Sequence, residues 1–178
     1  MLPATLIKDA AYEACRVYKL SPPFKTGHFL IALQEERELY IKMQPQLMPP
    51  GAFGLCVAES ARQYVIFYHS LSSLLHREAT IWHELGHVFF DHVTPRQNKV
   101  LLQSAYGPQV VRPDDMRAPL SVYTNTAEDY EAELFSRTML HYALGRNPGG
   151  YTRSIAATQR DPERASQLNR FLDELARR

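Results

Sequence analysis

A chain of 178 residues with 45% hydrophobic content is long enough for one real core and short for two domains, so a single domain over residues 1–178 is expected. Lysine plus arginine, 20, against aspartate plus glutamate, 19, give a formal net charge of +1. With no basic stripe, that balance excludes a nucleic-acid footprint and a membrane-surface patch.

The first residues reach Lys8 and Asp9 before any long apolar core develops, so neither a secretory signal nor a spanning helix is expected and the cytoplasm is the default location. Thr5 to Leu20 reads as a helix, with Leu6, Ile7, Ala10, Ala14, Val17 and Tyr18 as its apolar stripe, stopping at Ser21-Pro22-Pro23. A second helix is expected from about His28 to Arg37. Alternation then replaces the helical period in Leu39–Met43, Ala52–Val57 and Tyr64–Tyr68, separated by Pro49-Pro50-Gly51 and a polar run. These predict a small three-stranded antiparallel sheet, whose edge can take an extended peptide as a further strand. Cys15 and Cys56, far apart in the chain, suit two reduced and buried thiols. His69, ending the third strand, is within reach of a cleft.

Ser72 or Ser73 can cap a helix running to about Asp91 that carries His83-Glu84-Leu85-Gly86-His87. Two imidazoles at i and i+4 fall on one face about 6 Å apart, near enough to share one zinc ion. Ile81, Trp82, Leu85, Val88 and Phe89 take the opposite face, so the helix can bury one side while the histidines look into a cleft. Gly86 lets another backbone come close. His76 lies two turns upstream, and continued helical rotation carries His92 off the ligand face, so neither is expected as a ligand.

From Val93 to Asn125 periodicity fails, which suggests a functional loop. A helix then starts at Thr126, with Asp129 completing a capping box, and ends near Gly145. Glu131 shares a face with Leu134, Phe135 and Thr138, and a carboxylate turned inward needs a cation, which zinc would supply. Glu128 suits an outer acceptor for a ligand imidazole. Glu133 points away, toward solvent. Residues 161–178 read as a C-terminal helix with Asp161 as cap and Leu168 on its apolar stripe. The fold class expected is α+β, the sheet packed on the His-Glu-x-x-His helix and the Glu131 helix, with additional N- and C-terminal helices and a zincin-like core over about 25–145.

The strand Tyr64–Tyr68, the run His83-Glu84-Leu85-Gly86-His87 and the stretch Tyr130-Glu131-Ala132-Glu133-Leu134-Phe135-Ser136 together resemble the ImmA/IrrE family of metallopeptidases, the last being similar to that family's Glu-Ala-x-x-Phe-Ala signature. The resemblance spans roughly residues 25 to 142. Ser136 replaces the usual alanine, and Met139-Leu140-His141-Tyr142 stands where the family has Leu-Leu-Met-Pro. It implies Glu131 as third zinc ligand and, as target, a regulatory protein such as a helix-turn-helix repressor. With zinc so held, a fourth position is left for a water whose pKa falls to roughly 7, and Glu84 is the general base. Tyr123, Tyr130 and His69 are candidate oxyanion donors; His141 is too far along its helix. A metzincin would need glycine and histidine where Phe90 and Val93 stand, and Gly54-Leu55-Cys56 does not supply a deformylase ligand. The alternative from another class is a non-proteolytic, zinc-stabilised binding module or toxin–antitoxin-type partner.

Overall fold

In the computed structural model, residues 1–48, 52–93, 126–146, 162–163 and 166–170 are described. The expected loop 93–125 beyond Val93, with Tyr123 in it, the break at Pro49-Pro50-Gly51 and the cap Asp161 lie outside them. Helices α1 (Ala4–Val17) and α2 (Thr26–Arg37) precede strands β1 (Tyr40–Gln46), β2 (Gly54–Ser60) and β3 (Gln63–His69), followed by helix α3 (Leu74–Phe89) and helix α4 (Ala127–Ala143). Residues 162–163 and 166–170 are helical, and Leu168 is buried in the main core. Among the described residues no helix is long and apolar enough to cross a membrane.

Helices α1 to α4 each end by the same local chemistry. Lys19, Glu38, Asp91 and Gly145 adopt positive φ, and the next amide reaches back five residues: Leu20 N–H to the Cys15 carbonyl, Leu39 to Gln34, His92 to His87 and Arg146 to His141. This left-handed turn satisfies carbonyls that the last helical turn would leave bare. It ends α1 at Val17, three residues before the expected stop, and leaves Val17 exposed rather than on the buried stripe.

The sheet is mixed, which corrects the antiparallel expectation. Its order is β1-β3-β2. β2 and β3 form an antiparallel hairpin, whereas β1 pairs with β3 in parallel, Tyr40 opposite Gln63 through Gln46 opposite His69. Alternation in sequence identifies a strand but carries no direction. Here β3 returns between β1 and β2, so the two outer strands oppose each other without touching. Burial follows the order: Tyr64, Val65, Ile66 and Phe67 of the central strand are all buried, while Ile41 alone is buried in β1. A continuous apolar run marks a strand covered on both faces. Pro45, which cannot donate to a ladder, sits on the outer strand β1.

Beneath the histidines, Phe29 meets Trp82 at 5.1 Å between ring centroids, and Phe89 stacks on Phe135 at 4.9 Å. These rings are fully buried, each contributing about 1.5–3 kcal/mol by removal from water. Arg37 lies over Phe89 at 4.7 Å and donates to the Phe89 carbonyl at 2.7 Å, closing the carboxyl end of α3. Cys15 and Cys56 are free and buried, and burial pushes the Cys15 thiol up to about 12.

Gly86 sets how closely α3 and α4 approach. A Cβ there would lie 3.0 Å from Ala132 Cα, 3.1 Å from the Ala132 carbonyl oxygen and 3.2 Å from Phe135 Cδ1. Gly86→Val adds two further methyl groups against that backbone, so the helices must separate. The expected cost is about 1–3 kcal/mol, read as a lower urea midpoint with an unchanged slope; an unchanged midpoint would show that the contact is not tight.

Candidate metal centre

α3 and α4 lie antiparallel across the Gly86–Ala132 contact, and this aligns two residue pairs of matching spacing. His83 and His87 occupy one face of α3; Glu133 and Asp129 occupy the facing side of α4. His83 Nδ1 lies 3.4 Å from Glu133 Oε2 and His87 Nε2 lies 3.6 Å from Asp129 Oδ1. The two imidazoles turn their Nε2 atoms toward each other, 3.1 Å apart. Two nitrogens about 2.0–2.1 Å from a tetrahedral zinc would stand about 3.3 Å apart, so the observed spacing fits a shared cation. His83, His87 and Asp129 form a group whose ligand atoms all lie within 4.8 Å of one another and that can hold a metal ion.

Asp129 is fixed in place by the start of its own helix. Its Oδ2 accepts from the Thr126 hydroxyl at 2.9 Å and the Thr126 amide at 3.3 Å, while Thr126 Oγ1 accepts from the Asp129 amide at 3.1 Å. That capping box matches the sequence expectation. It leaves Oδ1 as the oxygen that faces His87.

Glu131, expected as the third ligand, is buried with its oxygens directed elsewhere. Oε1 accepts from the Leu2 amide at 2.6 Å, and Oε2 lies 3.2 Å from His92 Nε2. His92 in turn places Nδ1 3.1 Å from His87 Nδ1. Extrapolating the helix carried His92 off the ligand face, but α3 stops at Phe89 and the turn at Asp91 folds His92 back against the last turn. Glu133 is half-exposed beside His83 rather than pointing away.

Glu84 is buried at the other side of the histidines, against β2. A Cβ on Gly54 would stand 2.4 Å from Thr80 Cγ2 and 2.7 Å from Glu84 Oε1, so only glycine allows the strand to pass this carboxylate so closely. Glu128 and Tyr130 are exposed on α4. His69 accepts the Leu71 amide at Nδ1, 3.1 Å away, and His76 lies against Phe53, 4.4 Å between ring centroids, outside the cluster. Tyr123 lies outside the described residues. The sequence expectation did not include Asp129 as a candidate ligand or His92 as a neighbour of His87. The available signal was the four-residue spacing of Asp129 and Glu133, which mirrors that of His83 and His87.

Burial pushes all three imidazoles below their ordinary pKa. His87 falls to about 3, by burial first and then by His83 and His92. For His83, burial outweighs Glu133 and Asp129; for His92 it outweighs Glu131, Glu128 and Asp129. At neutral pH these rings are uncharged, so their short contacts to carboxylates are hydrogen bonds or shared-ligand spacings rather than ion pairs. Neutral imidazole is also the form that ligates metal.

The linkage has a definite sign. The folded protein resists protonation at His87 down to about pH 3, whereas the unfolded chain takes up the proton near pH 6.5, about the ordinary histidine value. Stability from this group is therefore fully present above about pH 6.5 and is lost as pH falls toward 3. Metal-free protein in chelator should show a lower denaturant midpoint at about pH 5 than at about pH 7.5, and His87→Phe should flatten part of that slope; equal slopes in both proteins would contradict the assignment.

Comparison of the chain with family models, with curated proteins and with solved structures gives no match in any of the three, so the chemistry of the centre is read from its own residues.

Proposed function

We propose that the chain is a zinc-dependent metallo-endopeptidase. The observation that carries this reading is the convergence of His83, His87 and Asp129, with His87 Nε2 facing both His83 Nε2 and Asp129 Oδ1, next to Glu84, a buried carboxylate one residue along the same helix. Two neutral imidazoles and a carboxylate are a hydrolytic rather than a closed structural ligand set, since they leave one of four positions open. A zinc ion held there supplies Lewis acidity toward a peptide carbonyl and toward water.

The remaining roles fall to this chain's own groups. Glu84 accepts the proton of the attacking water on its carboxylate and returns it to the departing amine. The outer strand β2 passes Glu84 at Gly54, and its outward amides and carbonyls take the main chain of an extended substrate as an added strand, without dependence on sequence. A target without a fixed side-chain pattern suits a peptidase directed at one regulatory protein, such as a helix-turn-helix repressor, by docking rather than by cleavage-site sequence.

Protein purified without added metal and titrated with zinc should bind close to one ion per chain, checked by elemental mass spectrometry. Asp129→Ala should weaken that binding most, and Thr126→Ala, which breaks the cap at a cost of about 1 kcal/mol but keeps the carboxylate, should weaken it less. Glu84→Gln should keep the metal and lose hydrolysis of a quenched fluorescent peptide library by roughly 10²–10⁴-fold. Equal turnover in Glu84→Gln and wild type would overturn the peptidase reading and favour a zinc-stabilised binding module.

A further inference from the structure

Beyond the ligands themselves, we infer that Glu131 and His92 form a hydrogen-bond relay that orients His87 and fixes which of its nitrogens faces the metal. The inference rests on the reading of His83, His87 and Asp129 as ligands, and it makes Glu131 and His92 positioning residues rather than ligands.

The direction of the relay follows from its end. An ionised carboxylate only accepts hydrogen bonds, and Glu131 Oε1 already receives the Leu2 amide at 2.6 Å. The contact of 3.2 Å between Glu131 Oε2 and His92 Nε2 is therefore made by a proton on His92 Nε2. A neutral imidazole carries one proton, so His92 Nδ1 is an acceptor. Its partner, His87 Nδ1 at 3.1 Å, must then be the donor. With its proton on Nδ1, His87 presents a lone pair at Nε2, the atom that lies 3.1 Å from His83 Nε2 and 3.6 Å from Asp129 Oδ1.

A shorter version serves the other imidazole. His83 Nδ1 faces Glu133 Oε2 at 3.4 Å, so a proton there also leaves Nε2 as the lone pair. Both rings thus turn lone pairs toward one point, where a cation is required to hold them 3.1 Å apart. Ligand imidazoles commonly donate their second N–H to a carboxylate, which fixes tautomer and ring orientation. In this chain a second imidazole is interposed on the His87 branch, with a side chain only 8% exposed. The left-handed turn at Asp91 is what delivers that imidazole.

The test compares zinc affinity, by competition with a chromophoric chelator, with 15N NMR of labelled imidazoles. His92→Phe and Glu131→Ala should each retain one zinc per chain and weaken binding by roughly 10- to 100-fold. Zinc-loaded wild type should show a slowly exchanging His87 Nδ1–H with a through-hydrogen-bond coupling to His92 Nδ1, and His92 should carry its proton on Nε2. In Glu131→Ala that His92 preference should relax to a mixture of tautomers. Unchanged affinity in both variants would overturn the relay. So would a His92 proton on Nδ1 in the wild type, or loss of zinc in Glu131→Ala with full affinity in His92→Phe, which would make Glu131 a direct ligand. Failure of wild type to take up zinc would instead sink the metal reading, and the His92 tautomer of the metal-free protein would still decide the relay.

Discussion

The backbone-to-backbone approach of α3 and α4 at Gly86 is the contact on which the centre depends. Glycine within a helix sacrifices about 1 kcal/mol of propensity, and here it admits the Ala132 main chain to 3.0 Å of where a side chain would begin. Only at that separation can the short side chain of Asp129 approach a histidine on the facing helix. The same approach lets Phe135 stack on Phe89 beneath the histidines. Packing energy from the aromatic core thereby holds polar groups at distances they would not choose in water.

Helix ends, rather than helix middles, supply the finer positioning. Asp129 is both the reciprocal partner of Thr126 at the start of α4 and a candidate ligand, one oxygen committed to each task. A cap tolerates little rotation, so the oxygen facing His87 is oriented without any further support. At the opposite end of the centre, the turn that satisfies the last carbonyls of α3 returns His92 to the side of His87. Stabilising a helix terminus and building the centre are accordingly one event in each case.

Much of this was legible in the sequence for reasons that are local. The i, i+4 histidines, the capping box at Thr126 and Asp129, the small residue at 86 and the apolar stripes all reflect chemistry within a turn or two of helix. Strand direction was not legible, because Leu39–Met43 alternates identically whether β1 lies parallel or antiparallel to its neighbour, and only the insertion of β3 between the outer strands decides. His92 was misplaced by carrying helical rotation three residues past Phe89, where the left-handed Asp91 reverses the chain. Glu133 was hidden by a different limit, an acid on a helix looking solvated until the helix it faces is known, and Asp129 by its legible role as a cap partner, because the register of α4 on α3 is a tertiary fact.

The electrostatics of the centre give it a direction. Neutral, partly buried imidazoles face Asp129, Glu131 and Glu133; Glu133 is also paired with Arg137 and Glu131 lies 3.9 Å from the terminal ammonium of Met1, so the carboxylate turned to His87, that of Asp129, carries the negative charge a bound cation would meet. Burying such a set is unfavourable unless a cation is added, and each Nδ1 proton spent on an outer partner turns one more lone pair inward. The arrangement that is poorest in the absence of a cation is also the one that needs least rearrangement to bind it. A metal ion bound there would draw on the same free energy as folding. The close packing at Gly86 is what brings the two halves of the cluster together.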